Sequence, residues 1–310
     1  MNSTPPKIFG LIGYPVRHSF SPIMHNAAFK HLGINAEYRL FPVKPEDLEP
    51  FLLDDIIVQD VDGKDARAKD IAGFNITIPH KIRAKEILET HFPPQPGGQV
   101  ETEEQAIVCL TGAVNTVKRE NGRLFFQNTD AVGFSKSLKQ DLSFNKENKT
   151  VLLLGCGGAG RAVVSALTVS RESARKVYIF EINNEVIPLI SQHFLKSSLV
   201  KGKFEFVSKE NLPEIISECQ LLINASPLGM QEGDGSVVNK SLLHKNLSIY
   251  DVVYHRETQL IKDAKSLGLP AAGGLGMLLY QGTAAFEFWT GNPAPIEIMR
   301  QALIKTGRYA

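Results

Sequence analysis

The stretch from Thr150 to Glu181, TVLLLGCGGAGRAVVSALTVSRESARKVYIFE, decides the fold. Val151 to Leu154 is a short apolar run without charge, the pattern of a strand buried on both faces of a parallel sheet. Gly155-Cys156-Gly157-Gly158-Ala159-Gly160 follows at once and fits G-x-G-x-x-G. Each glycine has a steric reason: a tight turn, backbone approach to a pyrophosphate, and close packing of helix on strand. The helix that begins there presents free N–H groups and a partial positive charge to that phosphate. Gly155, Gly157, Gly158, Ala159 and Gly160 are therefore expected to hold a dinucleotide. Lys176 to Phe180 supplies the next strand, and Glu181 ends it about 20 residues beyond the glycines. An acid there accepts hydrogen bonds from both ribose hydroxyls and repels a 2′-phosphate, and no Arg or Lys follows before Lys196. The expectation is NAD in preference to NADP.

Working outward, 310 residues give room for two domains. With 34 basic and 33 acidic residues the chain is nearly neutral, so nothing electrostatic favours nucleic acid or an anionic membrane as partner. The three cysteines are widely separated and outside any C-x-x-C spacing, which argues for a reducing compartment and against a zinc site. MNSTPPKIFG lacks a basic segment followed by an apolar one, and no apolar run approaches the roughly 18 residues of a membrane span. A soluble cytoplasmic protein with a small-molecule partner is expected. Phe92 to Glu104 reads as a surface loop, and Asp54 to Asp70 as helix, turn and helix. Asn145 to Lys149, short and polar before the first nucleotide strand, is a candidate domain boundary.

The N-terminal part holds a second concentration of chemistry. Lys7 to Gly13 reads as a strand; Ser21 then caps a helix with Pro22 in its first turn. Ser19 and Ser21, two apart at a strand's carboxyl end, place two hydroxyls for a small anion such as a carboxylate. His25 reads as packing. In Gly73-Phe-Asn75-Ile-Thr77-Ile-Pro79-His80-Lys81, alternation puts Asn75 and Thr77 on one strand face and Ile76 and Ile78 on the other. Lys81 falls in the first turn of a helix, where a cation opposes the macrodipole at a cost of about 0.3 to 1 kcal/mol. A residue that breaks a local rule is a candidate for function. Thr116-Val and Arg123 to Gln127 read as a hairpin around Asn121-Gly122. Asp130 reads as the N-cap of the helix Ala131 to Lys139.

HSFSP, GFNITIPHK, GAVNT, NTDAVGF, GCGGAGRA, NASPLGM, DVVY and the QGTAAFEFWTG run stand in the order of the shikimate dehydrogenase family, and the chain resembles that family from about Phe9 to Gly291. The resemblance implies an α/β protein of two α/β domains with a cleft between them. Residues 1–130 and 276–310 would form the substrate-binding and catalytic domain, and 131–275 a Rossmann-like dinucleotide-binding domain. It implies oxidation of a ring alcohol of shikimate or quinate, in the route to aromatic amino acids, by a monomer or homodimer. Carried over by position, Ser19 and Ser21 bind the substrate carboxylate, and Thr77, Asn115, Asp130 and Gln281 bond ring hydroxyls. Asn75 and Tyr254 join the substrate site, and Lys81 is catalytic.

Hydride loss from the carbinol carbon requires that its hydroxyl also lose a proton, and a Lys81/Asp130 dyad would take it. Asn224 and Met230, in the loop after the strand Leu221 to Asn224, are expected beside the cofactor. So are Gly274, Gly276 and Met277 of the second glycine turn, with the backbone of Gly276 near the nicotinamide. His255-Arg256 departs from the family, which usually has a residue and a proline there. A quinate enzyme and a non-catalytic dinucleotide-binding regulator are the rival readings. Lys81 and Asp130 together argue against the second.

Overall fold

The computed structural model describes residues 4–93, 103–170 and 172–306. It divides into two compact units, Met1–Thr129 with Gln281–Thr306, and Asp130–Tyr280. In chain order the elements of the first are β1 (Lys7–Gly13), α1 (Ser21–His31), β2 (Ala36–Pro42), α2 (Leu48–Leu53), β3 (Ile57–Gln59), β4 (Asp65–Arg67), β5 (Ile71–Ile76), α3 (Lys81–His91), α4 (Glu103–Thr111), β6 (Thr116–Glu120) and β7 (Arg123–Gln127). The helix α5 (Thr129–Gln140) carries the chain into the second unit. That unit holds β8 (Thr150–Leu154), α6 (Gly158–Thr168), β9 (Lys176–Phe180), α7 (Ile187–Leu195), β10 (Phe204–Phe206), α8 (Leu212–Glu218), β11 (Leu221–Asn224), β12 (Ser248–Asp251), α9 (Gln259–Ser266) and β13 (Ala271–Gly273). Helix α10 (Leu275–Thr290) returns to the first unit, which α11 (Ile296–Ile304) completes. The candidate boundary at Asn145 to Lys149 lies within the second unit, between α5 and β8.

The first unit is built on a mixed five-stranded sheet in the order β2-β1-β5-β6-β7. β1 pairs in parallel with β2 and β5, whereas β6 and β7 run antiparallel. The hairpin is made by Asn121 at φ 51° and Gly122 at φ 75°, the left-handed pair that a two-residue loop demands. Phe41, Phe51, Phe74, Ile76, Leu88, Val114 and Val117 bury one face. Against the other, α1 packs on α11, and Trp289 fills the space over Gly73, where a Cβ would meet its ring at 2.5 Å. The Trp289 indole donates to the Val117 carbonyl at 2.9 Å. His25 stacks on Tyr38 with centroids 4.5 Å apart, fully buried, and its two ring nitrogens have no hydrogen-bond partner among the described residues. Burial pushes the imidazole down to about 3, so it packs as a neutral ring.

Residues 54–70 differ from the expected helix, turn and helix: β3 and β4 form a two-stranded antiparallel ribbon, followed by one 3-10 turn. An interaction invisible to local pattern holds the ribbon. Arg39 on β2 donates to Asp60 at 2.6 Å and to the Lys64 carbonyl at 2.7 Å. β5 stops at Ile76, and Ile78 is 68 % exposed instead of facing a core. Of the loop expected over 92–104, residues 94–102 lie outside the described residues, and Glu103 already opens α4.

The second unit is a parallel sheet in the order β10-β9-β8-β11-β12-β13, doubly wound from β8 outward. β8, all five residues buried, sits beside the point where strand order reverses, the place where α/β sheets bind ligands at the strands' carboxyl ends. Among the described residues no helix is long and apolar enough to cross a membrane.

Candidate functional site

In the first unit, Ser19, Ser21, Asn75 and Asn115, all expected at the substrate site, share one hydrogen-bond string. Phe20 already has helical dihedrals, φ −89° and ψ −3°, so Ser21 opens α1 from within and does not cap it. Ser19 takes over that task by accepting the Ser21 N–H at 3.2 Å, which leaves the Ser21 hydroxyl for other work. The Ser19 hydroxyl reaches Ser21 Oγ at 3.2 Å, and Ser21 in turn bonds the phenol of Tyr38. Tyr38 donates to Asn75 Oδ1 at 2.8 Å. Asn75 Nδ2 donates to Thr116 Oγ1 at 3.0 Å and to the Asn115 carbonyl at 3.3 Å. Thr116 donates to Asn115 Oδ1 at 2.9 Å, which also accepts the Thr129 N–H at 2.7 Å.

Backbone groups fix the direction of this string. The Thr129 N–H can only donate, so the Asn115 oxygen faces it; the Asn115 carbonyl can only accept, so the Asn75 nitrogen faces it. The Tyr38 proton must then point at Asn75. Both amide hydrogens of Asn75 are thus engaged within the protein. Tyr38 and Thr116 were missed in the sequence because they meet Asn75 only through sheet pairing, at separations of 37 and 41 residues.

Lys81 is half-buried at the first position of α3, and its carbonyl accepts the Val114 N–H at 3.0 Å. Val114 precedes Asn115, which holds Thr129, and the next residue is Asp130, 9 % exposed in the first turn of α5. Since α5 begins at Thr129, Asp130 is inside the helix and not its cap. A carboxylate in a first turn is favoured by the helix dipole. Thr77 is half-buried, and Gln281 on α10 is 8 % exposed.

In the second unit the glycines separate by role. Gly155 has φ +86°, and a Cβ on it would meet the Ser226 backbone at 2.9 Å. Gly160 lets α6 approach the turn: a Cβ there would lie 2.3 Å from the Gly155 carbonyl oxygen. At Gly157 and Gly158 a Cβ would meet nothing within 4 Å, so the turn has an open side. Gly157 caps α6 without any side-chain hydrogen bond, leaving the first N–H groups of the helix directed at that open side. A pyrophosphate would fit this cradle, and the residues present fit a dinucleotide. Cys156 is buried in the turn, which pushes its thiol up to about 12 and leaves it inert.

Two loops at the carboxyl edge are tied together by the buried Asp251. It accepts from Asn224 and the Val253 N–H, each at 3.0 Å, and from the Thr258 hydroxyl at 2.7 Å. Asn224 also donates to the Leu228 carbonyl, and its oxygen takes the Ser226 N–H and hydroxyl, so its amide shapes the loop after β11. Met230 is about half exposed on that loop, and its carbonyl meets the His255 ring at 2.8 Å. His255, in the pair that departs from the family's residue and proline, thereby links the loops after β11 and β12. Tyr254 is half-buried, and burial raises its phenol. A Cβ on Gly274 would lie 1.9 Å from the Val252 carbonyl, which accounts for that glycine. At Gly276 the missing side chain makes room for Asp141 and Ser137, at 1.8 and 2.2 Å from an ideal Cβ.

A doubly wound sheet with a glycine cradle, joined to an α/β unit bearing a lysine and a string of polar side chains, defines the class of two-unit dinucleotide-binding proteins. Family models for the shikimate dehydrogenase substrate binding domain and the shikimate 5′-dehydrogenase C-terminal domain match residues 11–94 and 274–304. The NADP(+) shikimate dehydrogenase of Methanocaldococcus jannaschii is 36 % identical over 301 residues, 96 % of either chain. A solved shikimate dehydrogenase in complex with NADP+ is 33 % identical, covers 97 % of this chain and 96 % of its own, and gives a TM-score of 0.77. The Thermus thermophilus enzyme, in complex with NADP(H) and shikimate, is 31 % identical over 96 % of this chain and 98 % of its own, with a TM-score of 0.75. The chain belongs to the shikimate dehydrogenase family.

These relatives overturn the expected preference for NAD, because they are NADP(+) enzymes and one of the solved structures holds NADP+. The structure supplies a physical reason for the misreading. Glu181 accepts the Cys156 N–H at 2.8 Å through one carboxylate oxygen and the Asn183 N–H at 3.0 Å through the other. Its acid closes the glycine turn onto the end of β9, a structural task that carries no information about the ribose.

Proposed function

We propose that this chain catalyses the NADP(H)-dependent interconversion of shikimate and 3-dehydroshikimate. What carries the reading is the run of bonds from Lys81 through Val114 and Asn115 to Thr129, the neighbour of Asp130, set in a chain that matches NADP(+) shikimate dehydrogenases along nearly all its length. The pyrophosphate would be held by the turn Gly155 to Gly160 and the N-terminus of α6. Bound nicotinamide supplies a hydride acceptor or donor.

The residues of the chain then account for the rest of the reaction. Ser19 and Ser21 would turn their hydroxyl protons out of the string to the substrate carboxylate, and Thr77, Asn115 and Gln281 hold ring hydroxyls. As the alcohol is oxidised, the Lys81 amine takes the hydroxyl proton; in the reverse direction its ammonium returns one to the developing alkoxide. Asp130 orients the amine and the hydroxyl. On this reading the protein works in the cytoplasm, as a monomer or homodimer, in the route to aromatic amino acids.

Replacing Lys81 by Met tests the assignment. kcat for shikimate is expected to fall by about 10² to 10⁴, with KM changed by a small factor. An unchanged kcat would remove Lys81 from proton transfer.

A further inference from the structure

Gly276 and Met277 lie in the first turn of α10, and the chemistry packed around them is unused by the mechanism above. The Met277 N–H, one of the helix's first amides, bonds the phenol oxygen of Tyr250. Tyr250 is fully buried on β12, its ring set edge-on to Phe134 at 4.9 Å. Its hydroxyl lies 2.7 Å from the hydroxyl of Ser137, itself fully buried on α5. Ser137 Oγ lies 2.7 Å from Asp141 Oδ2, just beyond the end of α5.

The two ends of this string fix every proton in it. A backbone N–H can only donate, and an ionised carboxylate can only accept. Ser137 therefore donates to Asp141, Tyr250 donates to Ser137, and Tyr250 accepts from Met277. No member can reverse without leaving a buried polar group unmatched. Gly276 lies against the same groups and has no space for a side chain, so turn and string are fitted to each other.

We propose that Tyr250 and Ser137 are positioning residues for the nicotinamide end of the dinucleotide site, holding the Gly274–Met277 turn in place through a one-way hydrogen-bond string anchored on Asp141. The proposal rests on the reading above, in which that turn lies beside the nicotinamide. Neither residue touches the reacting atoms. Their effect is on where the ring sits, and so on the hydride step more than on adenine-side affinity.

Tyr250→Phe tests it, because the ring and its packing stay while the hydroxyl is lost. In the protein without ligand, amide hydrogen exchange at Gly274–Met277 is expected to rise about tenfold, with the Gly155–Gly160 turn unchanged. In the binary complex with NADPH, the nicotinamide fluorescence is expected to lose its wild-type emission maximum and intensity, while 2′-AMP binds within about twofold of wild type. With shikimate, kcat should fall about 10- to 100-fold at nearly constant KM. Ser137→Ala should reproduce all three effects, and serves if the phenylalanine variant does not fold.

Unchanged exchange at the turn, or unchanged NADPH emission, overturns the proposal. So does an equal loss of 2′-AMP binding, which would mark a general structural role. A wild-type protein inactive on shikimate that still binds NADPH would sink the substrate reading and leave the exchange and emission results to decide this one. Absence of NADPH binding to the wild type would overturn both.

Discussion

The glycine cradle makes a prediction in which two neighbouring substitutions, chemically identical, fail in opposite ways. An ideal Cβ at Gly160 lies 2.3 Å from the Gly155 carbonyl oxygen and 3.1 Å from its carbon. Ordinary contact begins near 3.4 Å, so α6 must retreat by about 1 Å, and both colliding atoms are backbone. Gly160→Ala should therefore cost about 1 to 3 kcal/mol of stability in the absence of any ligand. At Gly157 the same methyl meets nothing within 4 Å, and the backbone, φ −69° and ψ −157°, is one an alanine adopts without strain. Gly157→Ala should leave the free protein unharmed or more stable by about 0.4 to 1 kcal/mol. Yet its methyl enters the space assigned to the pyrophosphate, and NADPH affinity should fall by about a hundredfold, or about 2.7 kcal/mol. Urea denaturation without ligand and fluorescence titration with NADPH separate the two effects. Wild-type binding by Gly157→Ala would refute the cradle, and wild-type stability of Gly160→Ala would refute the packing argument.

Tyr38→Phe keeps the stack on His25 but leaves the buried Asn75 oxygen without its proton donor, so stability should drop by about 1 to 3 kcal/mol; a urea midpoint equal to wild type would contradict the string. Burial raises Asp251 above the ordinary carboxylate value, against the opposing bonds from Thr258, Val253 and Asn224. The folded protein keeps that proton to higher pH than the unfolded chain does, so this group favours folding most below the unfolded value and progressively less as pH rises through the raised one. Asp251→Asn should flatten that part of the stability curve, and parallel curves for variant and wild type would show the reasoning to be wrong.

The features readable from sequence were those set by neighbours in the chain. β8, the glycine turn and β9 declare themselves by an apolar run, steric necessity and a second apolar run, and the β6-β7 hairpin by Asn121-Gly122. What stayed hidden depends on partners far along the chain. Ser21 follows every local rule for an N-cap, but Phe20 enters the helix first. The ribbon at 54–70 exists because Arg39 reaches Asp60. Glu181 has the position and charge of a ribose reader and instead accepts two backbone amides. Tyr38 and Tyr250 lie in none of the motifs, and Asp251 opens DVVY without the motif declaring its task, since each gains its role from groups that only sheet formation brings near.

Trp289 has one more implication, for the order in which the molecule is made. The slot it fills over Gly73, and the Val117 carbonyl it satisfies, belong to strands translated more than half a chain earlier. The ribosome thus finishes the second unit while that face of the first unit's sheet has only α1 to cover it. The domain begun first is closed only when α10 and α11 emerge.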